Sequence, residues 1–135
     1  MIVVAAVIEN NGQILVCQRK RGARHELKWE FPGGKVEHGE EPRAALAREL
    51  REELDIEAVV GAEIVRYEHA YPGRGPILLI FFRVTQFTGA PANIVFETIE
   101  WASLPALNSY DFLDGDIDFV RRLSRGEYQK PGGTR

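Results

Sequence analysis

The chain of 135 residues holds one cysteine, Cys17. A single thiol excludes an internal disulfide and any cysteine-based zinc site, and it accords with a reducing, cytoplasmic setting. Cys17 closes the apolar run Ile14-Leu15-Val16-Cys17, so it reads as a buried, inert thiol and not as a nucleophile. Long apolar stretches are lacking too. MIVVAAVIENNG has no basic start and is too short to span a bilayer, which makes it a buried first strand. There is no excess of basic residues: 17 Lys and Arg stand against 20 Asp and Glu, for a formal net charge of −3. Binding to a nucleic-acid polymer therefore has no electrostatic support, although local basic residues can still serve a small phosphate-bearing molecule. The GxxxxGK(S/T) phosphate loop and the GxGxxG dinucleotide fingerprint are both missing. The three histidines, His25, His38 and His69, are scattered without ligand spacing and read as surface or packing residues.

What is present is an ordinary globular composition, 44% hydrophobic and 27% charged, in a length that suits one domain. That domain spans residues 1–125, and the polar, glycine-rich residues 126–135 read as a disordered tail. Residues 1–8 and 13–18 read as two strands joined by the Asn10-Asn11-Gly12 turn, expected to form a two-stranded core unit. Arg19 to His25 is a basic loop, and Trp29 to Pro32 a short extended piece. Residues 57–69 read as one strand, ended by the turn Tyr71-Pro72-Gly73-Arg74-Gly75-Pro76. Residues 77–85 form a continuous apolar run suited to a strand buried on both faces of a layered α/β domain. Residues 98–101 are a short strand. Ile117, Val120 and Leu123 fall at helical spacing, which predicts a C-terminal helix over 113–123 with Asp114 or Asp116 near its start.

The densest signal is GGKVEHGEEPRAALARELREELDI, Gly33 to Ile56. Pro42 fits the first turn of a helix, with Glu40 or Glu41 as the cap. Leu46, Leu50 and Leu54 mark an apolar stripe, and Glu49, Glu52 and Glu53 share an arc of roughly 100° away from it. A solvated face is one reading, because Arg48 and Glu52 stand at i and i+4. Against it, Glu49 and Glu53 are like charges at i and i+4, which costs a few tenths of a kcal/mol. Clustered carboxylates suit Mg²⁺, which takes oxygen ligands and keeps waters for phosphates to displace. The Gly33-Gly34 pair lets backbone approach closely. Composition and periodicity leave both readings open.

The full spacing resembles the signature of the Nudix hydrolases: Gly34, five residues, Glu40, seven residues, Arg48-Glu49-Leu50, one residue, Glu52-Glu53. Asp55 departs from it, standing where the family has glycine. Asp tolerates the left-handed conformation that ends such a helix, so a slightly costlier turn is expected. Over residues 1–123 the chain resembles the MutT-type branch. The resemblance implies an α/β/α sandwich around a mixed sheet, with Mg²⁺ as cofactor and Mn²⁺ as an alternative. It also implies hydrolysis of a nucleoside triphosphate, oxidised or pyrimidine, to the monophosphate and pyrophosphate. By the same resemblance, Glu49, Glu52, Glu53 and the Gly33 carbonyl hold metal, Glu52 or Glu53 takes the proton, Arg48 orients the carboxylates, and Glu40 supports them. A further acid is expected at Glu97, with Glu100 as second choice. Arg19 and Arg74 are expected near the nucleotide, Phe31 beside the same pocket, and Asp116, with Asp114 as rival, reading an amine or N–H of the base. A small nucleotide is the expected partner, with no membrane and a monomer or homodimer. The alternatives are an ADP-ribose or nucleotide-sugar pyrophosphatase, weakly favoured by Pro72, and a non-catalytic nucleotide-binding regulator.

Overall fold

The computed structural model describes residues 1–128. Its centre is β1 (Ile2–Asn10), which pairs in parallel with β7 (Pro76–Val84) from Ile2↔Leu78 to Ile8↔Val84, and β6 (Glu63–Ala70) runs antiparallel on β7's far side. The other edge of β1 is shared. β4 (Gly33–Lys35) takes Val3 to Ala5, and β2 (Gln13–Gln18) meets β1 only at Glu9↔Ile14 and Asn10↔Gln13. β2 instead pairs along its length with β9 (Thr98–Ser103) and at its end with β3 (Trp29–Glu30). The expected β1–β2 unit is thus present but confined to two residue pairs, because most of β1's length is taken by β7 and β4. The result is one seven-stranded mixed sheet, with a separate ribbon of β5 (Glu57–Val59) and β8 (Gln86–Thr88).

Alternation along β1 and β7 builds two cores. Val4, Ala6, Ile8, Ile80, Phe82 and Val84 face α1 (Pro42–Leu54), meeting Ala45, Leu46, Leu50 and Leu54. Ala5, Val7, Ile77, Leu79 and Phe81 face α2 (Ile117–Ser124), meeting Phe119, Val120 and Leu123. This is the α/β/α sandwich, with β7 buried on both faces as its composition implies. Each fully buried leucine of α1 contributes roughly 1.5–3 kcal/mol. Among the described residues, no helix is long and apolar enough to cross a membrane.

The ends of α1 are built as its sequence suggests. Pro42 opens the first turn, and the Glu41 carboxylate accepts the N–H groups of Arg43 and Ala44 at 2.9 and 3.2 Å. Asp55 closes it at φ 56, ψ 42, with its N–H on the Arg51 carbonyl. The segment after β8 then occupies two orphan carbonyls: Ala92 N–H reaches Leu54 O at 2.8 Å and Ile94 N–H reaches Glu53 O at 3.2 Å.

Two elements differ from expectation. The strand read over 57–69 breaks at Gly61, whose N–H bonds Arg83 O at 2.8 Å; a Cβ there would also stand 2.8 Å from that oxygen. The helix read over 113–123 begins only at Ile117, because Asp114–Asp116 form a 3-10 turn. Of the tail, Gly126 N–H bonds Leu123 O, the Tyr128 ring lies 5.3 Å from that of Phe119, and the Tyr128 carbonyl accepts from Arg83. Residues 129–135 lie outside the described residues.

Candidate active site

β4 carries the glycine pair across the first half of β1 and directly against α1. A Cβ at Gly33 would stand 2.0 Å from Val4 O, and one at Gly34 would stand 2.2 Å from Glu49 Oε2. Only glycine allows this double approach, of backbone to backbone and of backbone to carboxylate. Gly33 N–H donates to Glu53 Oε1 at 3.1 Å. Two of the three box glutamates therefore turn inward to β4. The third, Glu52, points outward with its side chain 58% exposed, against 16% for Glu49.

Arg48 holds this group from the side. Its Nε and Nη2 donate to the two oxygens of Glu40 at 2.8 and 3.0 Å, and its Nη1 reaches Glu49 at 3.4 Å and Glu52 at 3.2 Å. It also donates to Lys35 O at 3.2 Å, tying α1 to the end of β4. The bidentate bond to Arg48, helped by the Glu37 N–H, holds Glu40 down at about 2. Glu53 behaves in the opposite way. Burial, then the charges of Glu49 and Glu30, push its carboxyl up to about 8, and burial raises Glu49 as well.

Glu53 lines a cavity of about 260 Å³. Phe31 and Asp116 line it on the side of α2, and Arg19, Arg24 and Arg74 edge it with positive charge. Phe31 is also a core residue, its ring 5.1 Å from Phe112 and 5.8 Å from Phe119. Asp116 is only 6% exposed, and no donor among the described residues reaches its carboxylate; burial, then Glu30, raises it to about 8. Arg19 is committed within the protein, with Nη1 3.3 Å from both oxygens of Glu30 and Nε 2.6 Å from Arg24 O.

The structure thus brings together Gly33, Glu49 and Glu53, with Arg48, Glu40 and Glu52 beside them, and gathers Arg19, Phe31, Arg74 and Asp116 around the adjoining cavity. It does not bring Glu97 or Glu100 there. Glu97 is exposed and accepts the Arg21 N–H at 3.2 Å, while Glu100 accepts the Tyr110 hydroxyl at 2.8 Å. The additional acid on the cavity wall is instead Glu30, at the end of β3. Sequence reasoning passed over it, although Glu30 sits three residues before the glycine pair, within reach of whatever that turn positions. Asp114 is exposed, leaving Asp116 as the acid of that turn at the cavity.

The donor set fits a divalent cation. The charges of Glu49 and Glu30 oppose ionisation of the buried Glu53 carboxyl, and a hard cation would relieve that repulsion. The lack of a Cβ at Gly34 leaves room for the Glu49 carboxylate against β4. Among the described residues no three His, Cys, Asp or Glu side chains are grouped so as to hold an ion by themselves. The arrangement is an open one, to be completed by backbone oxygen, water or substrate phosphate.

Comparison with known proteins agrees with this geometry. A family model described as NUDIX domain matches residues 1–123. The chain is 41% identical over 118 residues to the CTP pyrophosphohydrolase of Escherichia coli, covering 87% of each chain. It is 35% identical over 124 residues to the 8-oxo-dGTP diphosphatase of the same organism, covering 92% of this chain and 95% of that protein. Among solved structures, the E. coli ORF135 protein superposes with a TM-score of 0.83 at 37% identity, over 96% of this chain and 92% of that one. The MutT protein of Methanosarcina mazei superposes equally well, at 0.83 with 26% identity, over 96% and 95%. Such likeness across nearly the whole chain puts the molecule among the hydrolases of phosphoric anhydrides. The chain belongs to the Nudix family.

Proposed function

We propose that this chain hydrolyses a nucleoside triphosphate, oxidised or pyrimidine, to the monophosphate and pyrophosphate, as nucleotide-pool housekeeping in the cytoplasm. The observation that carries the reading is the placement of Glu53, between the glycine turn and a cavity lined by arginines and by Asp116, to which no described residue donates. The named activities of the E. coli relatives support the same substrate class.

Gly33 through its carbonyl, and Glu49, Glu52 and Glu53 through their carboxylates, would hold Mg²⁺, or Mn²⁺ in its place. The bound ion supplies neutralisation of the triphosphate and activation of water. The chain's own residues do the rest. Glu53, or Glu52, accepts the proton from the attacking water. Arg48 keeps the carboxylates aimed, and Glu40 keeps Arg48 in place through their bidentate bond. Arg74 and Arg19 neutralise phosphate oxygens, Arg19 from a guanidinium already oriented by Glu30. Phe31 offers the base an apolar wall, and Asp116 reads its amine or N–H.

The test is kcat/KM, with Mg²⁺, across CTP, dCTP, dGTP, 8-oxo-dGTP and ADP-ribose. One or more triphosphates should be cleaved with pyrophosphate released. Cleavage of ADP-ribose with no triphosphate turned over would move the chain to the nucleotide-sugar branch, and no turnover of any substrate would make it a nucleotide-binding regulator.

A further inference from the structure

The 3-10 turn that carries Asp116 is gripped at one residue. The carbonyl of Gly115 accepts the Tyr67 hydroxyl at 2.6 Å, and its N–H donates to the Tyr71 hydroxyl at 3.0 Å. Both polar groups of this buried residue's backbone are thereby satisfied by tyrosines of another element, β6 and the turn that follows it. No side chain of the turn caps α2 in their place. The fit leaves no slack: a Cβ on Gly115 would stand 2.7 Å from the Tyr71 hydroxyl and 3.2 Å from the His69 ring.

The two tyrosines are themselves fixed. The Tyr67 ring stacks on Phe81, with centroids 5.8 Å apart, and the Tyr71 ring meets His69 edge-on at 4.5 Å. Tyr71 lies on the cavity wall, whereas Tyr67 does not line the cavity. Ring packing alone would be served by phenylalanine at both positions. What the hydroxyls add is the orientation of the peptide immediately before Asp116, a residue 6% exposed that lines the cavity and whose carboxylate accepts no hydrogen bond from the described residues.

We propose that Tyr67 and Tyr71 are positioning residues for substrate selection: closed on the N–H and C=O of Gly115, their hydroxyls hold the Asp116 carboxylate in the orientation that reads the substrate's base. This rests on the reading of Asp116 as the base-contacting group. Tyr67, away from the cavity, acts wholly through Gly115. Removing its hydroxyl orphans a buried carbonyl, lets the turn rotate, and blurs the discrimination that Asp116 provides.

The experiment measures the ratio of kcat/KM between CTP and 8-oxo-dGTP for wild type, Tyr67→Phe, Tyr71→Phe, Asp116→Ala and the Tyr67→Phe/Asp116→Ala double variant. Asp116→Ala should collapse the ratio, and Tyr67→Phe should shift it the same way by about five-fold, the worth of one neutral hydrogen bond. In the double variant the ratio should stay where Asp116→Ala puts it. Tyr71→Phe leaves Tyr67 untouched, carries the same expectation, and serves if Tyr67→Phe does not fold. A clamp with a purely structural role would lower Tm and scale both nucleotides equally; that result, with Asp116→Ala still changing the ratio, overturns the proposal and leaves the base-reading role standing. An equal shift from Tyr67→Phe with and without Asp116 also overturns it. A ratio unmoved by Asp116→Ala removes the base-reading role itself, and the clamp's purpose with it.

Discussion

Glu53 and Gly33 are joined by one hydrogen bond, from the Gly33 N–H to Glu53 Oε1 at 3.1 Å. It fixes a carboxylate pushed up to about 8 at the seam between α1 and β4, facing the cavity. A glutamine at 53 keeps an oxygen able to accept that N–H, so the fold has no reason to suffer. Glu53→Gln is expected to lower kcat by at least 10²-fold, the scale of a lost general base. Its metal-free Tm should be equal to wild type or higher, because folding no longer has to take up a proton at a buried carboxyl. Turnover and thermal melts on one preparation check both halves.

The glycine pair separates two effects that conservative substitution usually mixes. At Gly34, an added methyl meets only the end of the Glu49 side chain, which can swing away. Gly34→Ala should therefore keep Tm within a few degrees and raise the Mg²⁺ concentration for half-maximal rate roughly ten-fold. At Gly33, the methyl meets the Val4 carbonyl, part of the β1 backbone. Gly33→Ala should lower Tm markedly, because β4 must leave its register on β1.

Stability of the metal-free protein should depend on pH with a definite sign. Glu53 and Asp116 both titrate near 8 in the fold, against ordinary values of 4.5 and 3.8. The folded state therefore binds more protons than the unfolded one between those limits. The stability these groups contribute is complete below about pH 4 and is lost as pH rises towards 8, each group giving up as much as about 1.4 kcal/mol for every pH unit climbed. Mg²⁺ should raise Tm more at pH 8.5 than at pH 5, since only ionised carboxylates hold it. Melts across that range, with and without Mg²⁺, decide the point; a Tm that climbs from pH 5 to 8 without metal contradicts it.

Arg48 makes six hydrogen bonds that no ammonium reproduces, two of them bidentate to Glu40. Arg48→Ala is expected to lower kcat/KM about 10- to 100-fold, and Arg48→Lys to recover little of it, because an ammonium lacks the planar fork. Parallel kinetics of the two variants provide the check. Full activity in Arg48→Lys would reduce the arginine's role to bulk charge.

How much of this was legible in the sequence depended on how local the determinants were. The limits of α1, its Glu41 cap and the left-handed Asp55 follow from residues within one turn of each other. The Gly33–Glu53 and Arg48–Glu40 relationships were available because a fixed spacing encodes them. The partner of β1 was not, since the choice between β2 and β7 is made by burial on both faces across 70 residues of chain. The break at Gly61 depends on the Arg83 carbonyl, which stands against it from a distant strand. Glu30 escaped notice because a two-residue strand has no periodicity, and its meaning comes only from Arg19, Glu53 and Asp116 gathering around it. Glu97 is expected at the site by its place after the central strand, but its carboxylate accepts the Arg21 N–H.

The central claim, that the Glu53 site splits a triphosphate between its α and β phosphates, is tested most directly by the products. Wild-type protein and Glu53→Gln are incubated with Mg²⁺ and either CTP or 8-oxo-dGTP, and pyrophosphate and orthophosphate are quantified separately. The account predicts monophosphate and pyrophosphate in equal amounts from the wild type, no orthophosphate, and a loss of at least 10²-fold in Glu53→Gln. Orthophosphate as the primary product, or near-normal turnover in Glu53→Gln, would contradict it.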